Sequence, residues 1–128
     1  MDFSYSDEQR MLKDMVARVV ADQYSFEQRE KIIKSEPGYS PEVWSQFAEL
    51  GLLAVPFSEA AGGFDGGGAE LMVVAEGFGR GLVVEPYLST VVLAGTFLDA
   101  ALDDNAKADA LAPIISGEQK YALACYEP

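Results

Sequence analysis

The sequence contains no histidine and one cysteine among its 128 residues. Without histidine, the chain lacks the side chain that most often serves as a general base near neutral pH. The single cysteine, Cys125, cannot form an intrachain disulfide, and the first residues have neither the basic nor the apolar stretch of a signal peptide. These absences predict a cytoplasmic protein, and no metal site is predicted.

Basic residues are few as well. Nine lysine and arginine residues stand against 21 aspartate and glutamate residues, which gives a net charge of -12 at pH 7. A chain with this charge repels a phosphate backbone, so nucleic acid is excluded as a partner. A ligand that carries phosphates, such as coenzyme A, would need its cationic contacts from another part of a larger protein.

Long apolar runs are also missing. A membrane-spanning helix needs about 18 or more consecutive apolar residues. The most apolar region, residues 82–102, is interrupted at six positions: Glu85, Pro86, Ser89, Thr90, Thr96 and Asp99. We therefore interpret this region as a buried helix and predict no membrane span.

What remains is the composition of a globular domain, with 49% hydrophobic and 23% charged residues. Several helix starts are recognisable in it. Ser6 and Ser25 are each followed three positions later by glutamine, the spacing of a capping box at a helix N-terminus. Ser40 precedes a proline and indicates a third start, and Gly51 is placed to end that helix in a left-handed conformation.

Beyond a glycine-rich loop at residues 55–68, we expect three more helices at about residues 69–78, 86–102 and 105–115. A short apolar run at residues 121–125 is typical of a first strand whose partners are missing. The predicted fold class is therefore all-α. We expect an up-and-down orthogonal bundle of about five or six helices, with a short strand-like segment at the C-terminus.

Three segments together resemble the acyl-CoA dehydrogenase family. The first, residues 3–19, contains a capped turn followed by EQRMLKDMV. The second, residues 39–81, contains WSQFAELGLLAVPFSEAAGG and ends in EGFGRG; it is similar to the family's stretch that leads through a glycine loop into EELGRG. The third, YALACYEP at residues 121–128, looks like the family's entry to its middle domain. The resemblance covers nearly the whole chain in order, although each piece alone is a weak signal.

The resemblance implies a flavoenzyme that oxidises acyl-CoA thioesters between the α and β carbons and passes electrons from reduced FAD to an electron-transfer flavoprotein. It implies that residues 1–118 are the helical N-terminal domain and that residues 119–128 begin a truncated middle β domain. The family's glutamate base lies in a C-terminal domain, so we name no catalytic residue and expect the chain alone to be inactive. Apolar surface left by the missing domains predicts a homo-oligomer or hetero-oligomer.

By the same resemblance, the helix at residues 86–98 lines part of the acyl cavity. Its candidate substrate-binding residues are Tyr87, Leu88, Thr90 and Val91. Glu85 or Tyr87 would meet a polar terminus on an unusual acyl group. The alternative is that this apolar helix belongs to the core, which is the commoner role of such a helix.

The family's flavin-contacting stretch corresponds to the end of the chain, where the candidate cofactor-binding residues are Ala124, Cys125 and Tyr126. Tyr126 stands where the family usually has threonine. Because the tyrosine phenol extends further than a threonine hydroxyl, backbone contacts are favoured over recognition by this side chain. The alternative is an unpaired terminus, and we expect no FAD on the isolated chain.

Other functions remain open at this point. The glycines at residues 62–68 do not form a phosphate-binding loop, because the GKS or GKT sequence of such loops is absent. A short, non-enzymatic module for protein–protein contact could use the same fold, and a related acyl-CoA oxidase would pass its electrons to oxygen. A reading frame that continues past Pro128 into glycine-rich, strand-like sequence favours the dehydrogenase, whereas a stop codon there favours the interaction module.

Overall fold

The structure is a computed structural model that describes residues 4–124. Over this range the chain forms α-helices, one π-helical segment and two short 3-10 turns, and it contains no β-strand. The α-helices are α1 (Asp7–Gln23), α2 (Phe26–Ile33), α3 (Pro41–Glu49), α4 (Gly68–Gly81), α5 (Thr96–Ala101) and α6 (Asp104–Ile115). The 3-10 turns are Leu52–Ala54 and Glu59–Ala61, and the π segment is Leu88–Gly95. The predicted all-α fold is confirmed.

The predicted helix starts are confirmed where the sequence carried a capping pattern. At α1, the Gln9 amide donates to Ser6 Oγ at 3.1 Å and the Ser6 amide donates to Gln9 Oε1 at 3.0 Å. Ser25 and its glutamine repeat this arrangement at α2. Helix α3 begins at its proline, and Gly51 follows it with a φ of 75°, the left-handed conformation predicted for that position.

The chain divides into two compact units. The first unit comprises residues 4–40 and 67–84 and contains α1, α2 and α4. The second unit comprises residues 41–66 and 85–124 and contains the remaining helices and the π segment.

In the first unit, α1 and α4 lie side by side and run parallel. A Cβ atom added at Gly77 would lie 2.3 Å from Val16 Cγ1, and one added at Gly81 would lie 2.3 Å from Val20 Cγ1. Each of these pairs is separated by 61 positions along the chain, as is a hydrogen-bonded pair near the helix starts. Because the partners are 61 positions apart in the sequence at all three contacts, the two helices run in the same direction and rise equally per residue.

Polar side chains join the N-termini of α1 and α4. The Gln9 side-chain amide donates to Glu70 Oε1 at 2.8 Å, and the Gly67 amide donates to Glu70 Oε2 at 2.8 Å. With Ser6, which pairs with Gln9, these residues form what we call the capping network. The hydrogen bond from Gln9 is the largest cause of a lowered pKa at the Glu70 carboxyl, because it favours the charged form.

In the second unit, the interior is filled by large side chains. Its fully buried large residues are Trp44, Phe47, Leu52, Leu53, Phe57, Leu111, Ile114 and Val91. The Trp44 indole N–H donates to the Gly117 carbonyl oxygen at 3.0 Å, which satisfies a polar group that would otherwise be costly to bury. The Phe57 ring lies against Gly95, where an added Cβ would be 2.5 Å from the ring.

The fifth predicted helix lies where the sequence placed it, but its winding differs from the prediction. Residues 86–102 are predicted to form one α-helix; instead the π segment covers eight of these 17 residues and continues into α5. Hydrophobic periodicity indicates a helix here but does not distinguish these windings, because apolar residues occupy most positions of this range. Within the described residues, no helix is both long enough and apolar enough to cross a membrane.

The strand-like segment expected at residues 121–125 is not formed over residues 121–124, which have no regular secondary structure. A strand requires a neighbouring extended segment to share its hydrogen-bond ladder. In the described range the backbone of Tyr121 instead pairs with a side chain, that of Thr90. The last residue of the expected strand, Cys125, lies outside the described residues.

Candidate functional site

The π segment carries most of the residues predicted to contact an acyl group. Leu88, Thr90 and Val91 lie within it, and Tyr87 directly precedes it. π-helical turns are rare, usually only one turn long, and frequent at functional sites. This segment extends over eight residues. Its unusual winding therefore marks the same part of the chain that the sequence singled out.

The structure separates the four predicted substrate residues into two groups. Tyr87 is 6% exposed and both Thr90 and Val91 are 0% exposed, whereas Leu88 is 65% exposed. The Tyr87 hydroxyl donates to the Leu52 carbonyl oxygen at 2.9 Å, and burial raises the pKa of this phenol. Only Leu88 is placed to contact another molecule without a change in the surrounding side chains.

Two further apolar residues continue the exposed surface begun by Leu88. Leu93 is 45% exposed and Phe97 is 56% exposed, and the three residues lie five and then four positions apart. These intervals are each about one turn of a helix with π-type hydrogen bonds, so the side chains follow one side of the helix. We call Leu88, Leu93 and Phe97 the apolar row. Leu93 and Phe97 are not among the candidates from the sequence, because those candidates rest on the family resemblance and not on exposure.

The helix that carries the apolar row is held from its opposite side. The Tyr87 hydroxyl binds the backbone of Leu52, and Gly95 allows the Phe57 ring to pack directly against the helix. Glu85, which is the alternative to Tyr87 for meeting a polar acyl terminus, is also buried. The buried residues are therefore positioned to support the apolar row rather than to form its surface.

Of the residues predicted to contact a flavin, the structure describes only Ala124. It is exposed and lies in irregular backbone, so its peptide groups are accessible to a neighbouring group. Cys125 and Tyr126 lie outside the described residues. The flavin contacts of this stretch therefore stay a prediction.

The first unit contains a groove of about 210 Å³ between α1 and α4, and its lining residues include Ala17 and Ala21. None of the residues predicted from the sequence lines it. Among residues 4–124, no group of three or more acidic or cysteine side chains is arranged to hold a metal ion.

Comparison with protein families gives a match over most of the chain. Residues 6–118 match the family model described as acyl-CoA dehydrogenase, N-terminal domain. Two relatives carry the name acyl-CoA dehydrogenase IpdE2. The chain is 35% identical over 88 residues to the protein of Mycolicibacterium smegmatis, covering 68% of this chain and 28% of that protein. It is 31% identical over 118 residues to the protein of Mycobacterium tuberculosis, covering 91% of this chain and 36% of that protein.

Solved structures give the same result. The ChsE4-ChsE5 complex from Mycobacterium tuberculosis contains a chain that superposes with a TM-score of 0.86 at 25% identity, over 95% of this chain and 34% of that one. A variant of the Tcur3481-Tcur3483 steroid ACAD superposes with a TM-score of 0.83 at 25% identity, over 91% and 32% of the two chains. The chain spans only about a third of the relatives it matches. It belongs to the family of acyl-CoA dehydrogenase N-terminal domains.

Proposed function

We propose that this chain is the N-terminal domain of an FAD-dependent acyl-CoA dehydrogenase that oxidises an acyl-CoA thioester between its α and β carbons and passes the electrons to an electron-transfer flavoprotein. Family membership and relatives named acyl-CoA dehydrogenases support this proposal. Because the chain spans about a third of those relatives, the general base and most flavin contacts belong to the remainder of such an enzyme. The isolated chain is therefore inactive.

The observation that carries the proposal is the apolar row. Its three large side chains are exposed, and no charged residue occurs between Pro86 and Leu98. Exposed apolar surface of this kind marks a place where another molecule or domain binds. Burying it against a hydrocarbon chain is favourable by about 25 cal/mol per Å² of apolar surface removed from water. We propose that the apolar row forms part of the wall of the acyl pocket.

The other predicted substrate residues act behind this wall in our proposal. Tyr87, Thr90 and Val91 are buried, and Tyr87 and Thr90 make hydrogen bonds to backbone groups of neighbouring segments. Such bonds fix the position of the helix, and a preorganised wall binds its ligand with less loss of conformational entropy. These three residues thus determine where the apolar row lies.

We propose further that the domain comprises residues 1–118 and that residues 119–128 begin the middle β domain. In that arrangement the backbone of Ala124, Cys125 and Tyr126 lies beside the flavin ring. The exposed, irregular backbone at Ala124 supports this placement. A flavin bound there would accept a hydride from the substrate. The chain's own residues contribute by positioning the backbone and by excluding water from the acyl group.

The names of the structural neighbours support a proposal about the acyl group and the assembly. One neighbour is named as a steroid enzyme and the other as a complex of two different chains. We propose that this enzyme acts on a bulky, largely apolar acyl group and that it assembles from more than one subunit.

Expression of the complete reading frame tests the proposal. The purified protein should show a flavin spectrum that one or more members of a panel of acyl-CoA thioesters bleaches, the panel including straight-chain and steroid-bearing acyl groups. Reoxidation by an electron-transfer flavoprotein, faster than by oxygen, separates a dehydrogenase from an oxidase. A protein that binds flavin but is bleached by no thioester would refute the enzymatic assignment.

Variants of the apolar row test the role of this domain. Leu93→Ser and Phe97→Ser should raise the thioester concentration needed for half-maximal bleaching by about tenfold each, since each removes 1–2 kcal/mol of apolar contact. Phe64→Ser is the matched control, because Phe64 is similarly exposed but lies in the loop before α4. Equal effects of all three variants would show that the row does not line the pocket.

A further inference from the structure

The helix formed by the π segment and α5 carries three hydroxyl side chains that form hydrogen bonds in different directions. Ser89 Oγ donates to the Pro86 carbonyl oxygen at 3.2 Å, and Thr96 Oγ1 donates to the carbonyl of Val92, so both bind their own helix. This is the usual behaviour of serine and threonine within helices. Thr90 instead binds Tyr121, which lies 31 positions further along the chain.

The Thr90 hydroxyl binds both the amide and the carbonyl group of Tyr121. Its oxygen accepts from the Tyr121 amide at 3.2 Å and donates to the Tyr121 carbonyl oxygen at 3.1 Å. The Thr90 side chain is 0% exposed. One hydroxyl thus satisfies a donor and an acceptor of the segment after α6, as a neighbouring strand would do. Because Thr90 is fully buried, its own hydroxyl has no solvent partner to replace Tyr121.

Thr90 is the last of several contacts that hold the segment after α6. The Trp44 indole binds the Gly117 carbonyl, and the Gln119 amide donates to the Pro113 carbonyl oxygen at 2.9 Å. After Tyr121 the next three residues are exposed. Thr90 therefore holds the segment after α6 at the point where its residues become exposed.

We propose that Thr90 is a positioning residue that couples the acyl-contacting helix to the backbone that approaches the flavin. Thr90 lies on the same helix as the apolar row, and its partner Tyr121 precedes Ala124 by three residues. Three residues span at most about 10 Å, so the position of Tyr121 limits where the backbone of Ala124 can lie. This inference rests on the proposed function, because the flavin contact belongs to that proposal.

Amide hydrogen exchange measured by NMR tests the anchoring on the 128-residue chain. Thr90→Val keeps the branched shape but removes the hydroxyl, and we expect the Tyr121 amide to exchange about tenfold faster or more. Thr90→Ser keeps the hydroxyl and should remain within about twofold of the unmodified chain. The Trp44 indole N–H, which binds Gly117, is the internal control and should keep its rate in both variants. Equal Tyr121 rates in all three proteins would overturn the proposal.

A measurement on the unmodified chain covers the case in which Thr90→Val does not fold. A hydrogen-bonded, buried hydroxyl exchanges slowly enough to give its own proton resonance. We expect such a resonance for Thr90, with a nuclear Overhauser effect to the Tyr121 amide proton. A Thr90 hydroxyl proton that exchanges at the rate of an exposed hydroxyl would also overturn the proposal.

The coupling itself is tested on the complete protein. We expect Thr90→Val to shift the flavin absorbance spectrum and to slow bleaching at saturating thioester, with a smaller effect on half-saturation, and Thr90→Ser to restore both. Variants of the apolar row change mainly half-saturation, so the two roles are distinguishable. If the Tyr121 amide exchanges faster but the spectrum and bleaching stay unchanged, the coupling is refuted. If the unmodified complete protein binds no flavin, the proposed function and the coupling fail together, while the exchange data still decide the anchoring.

Discussion

The two compact units of this chain are both helical, but their interiors are built in opposite ways. In the first unit, α1 and α4 approach closely because α4 has glycine at positions 77 and 81. In the second unit, buried aromatic rings such as those of Phe47 and Phe57 occupy the interior. The stability of the first unit is therefore sensitive to added side-chain volume, and that of the second unit to removed side-chain volume.

The largest expected effect comes from removing volume in the second unit. Phe57→Ala should lower the free energy of unfolding by about 3–5 kcal/mol, because it empties the space beside Gly95 and removes a fully buried ring. Urea unfolding followed by circular dichroism measures this loss. Phe64→Ala, in the same loop but at an exposed ring, should change the value by less than about 0.5 kcal/mol. Similar losses of unfolding free energy in the two variants would show that the buried ring of Phe57 contributes no more to stability than an exposed ring.

The next effect comes from adding volume in the first unit. Gly77→Ala should lower the free energy of unfolding by about 1–3 kcal/mol, because the new methyl group would overlap the stiff, buried side chain of Val16. The matched control is Gly79→Ala on the same helix, where no atom lies within 4 Å of the added Cβ. That change should stabilise the chain by up to about 1 kcal/mol through helix propensity. Stabilisation by both substitutions would show that the helices are not in close contact.

The smallest effect concerns the charge at the start of α4. The Gln9 side chain lowers the pKa of Glu70 from its ordinary value of 4.5. A carboxyl with a lowered folded-state pKa contributes stability that is present above about pH 4.5 and is lost as the pH falls through the folded-state pKa. Gln9→Met should therefore raise the pKa of Glu70 toward 4.5 and weaken this pH dependence.

An NMR titration of the Glu70 carboxyl carbon measures that change. Ser6→Ala serves as the control, because it removes a hydrogen bond of the capping network but leaves the Gln9 side-chain amide in place. The pKa of Glu70 should stay low in this variant. A rise of equal size in both variants would assign the effect to fraying of α1 rather than to the bond from Gln9.

The helices were largely predictable because their signals are local. A serine three positions before a glutamine satisfies free amides at the start of a helix, and at Ser6 and Ser25 this pattern identified the correct positions. The close approach of α1 and α4 was not predictable, because the residues around Gly77 in the sequence do not indicate that Val16 packs against it. The winding of the π segment was also missed, because it depends on packing against residues distant in the chain, such as Phe57.

The helix that carries the candidate site was predictable, but the side of this helix that faces outward was not. The family resemblance pointed to the helix after Pro86, and of its four candidates only Leu88 is exposed. Which side of the helix faces outward depends on its winding, so Leu93 and Phe97 could be found only from the structure. The partner of Thr90 was equally hidden, because Tyr121 lies far away in the sequence.

The capping network has a consequence for how α1 and α4 find their alignment. A slip of the two helices by one turn, about 5.4 Å, would leave at least one of Val16 and Val20 without a facing glycine. The same slip would separate Gln9 from Glu70 and remove one hydrogen bond from that carboxylate. The register of this helix pair is thus encoded twice, by the glycines that face valines along its middle and by the polar side chains at its ends.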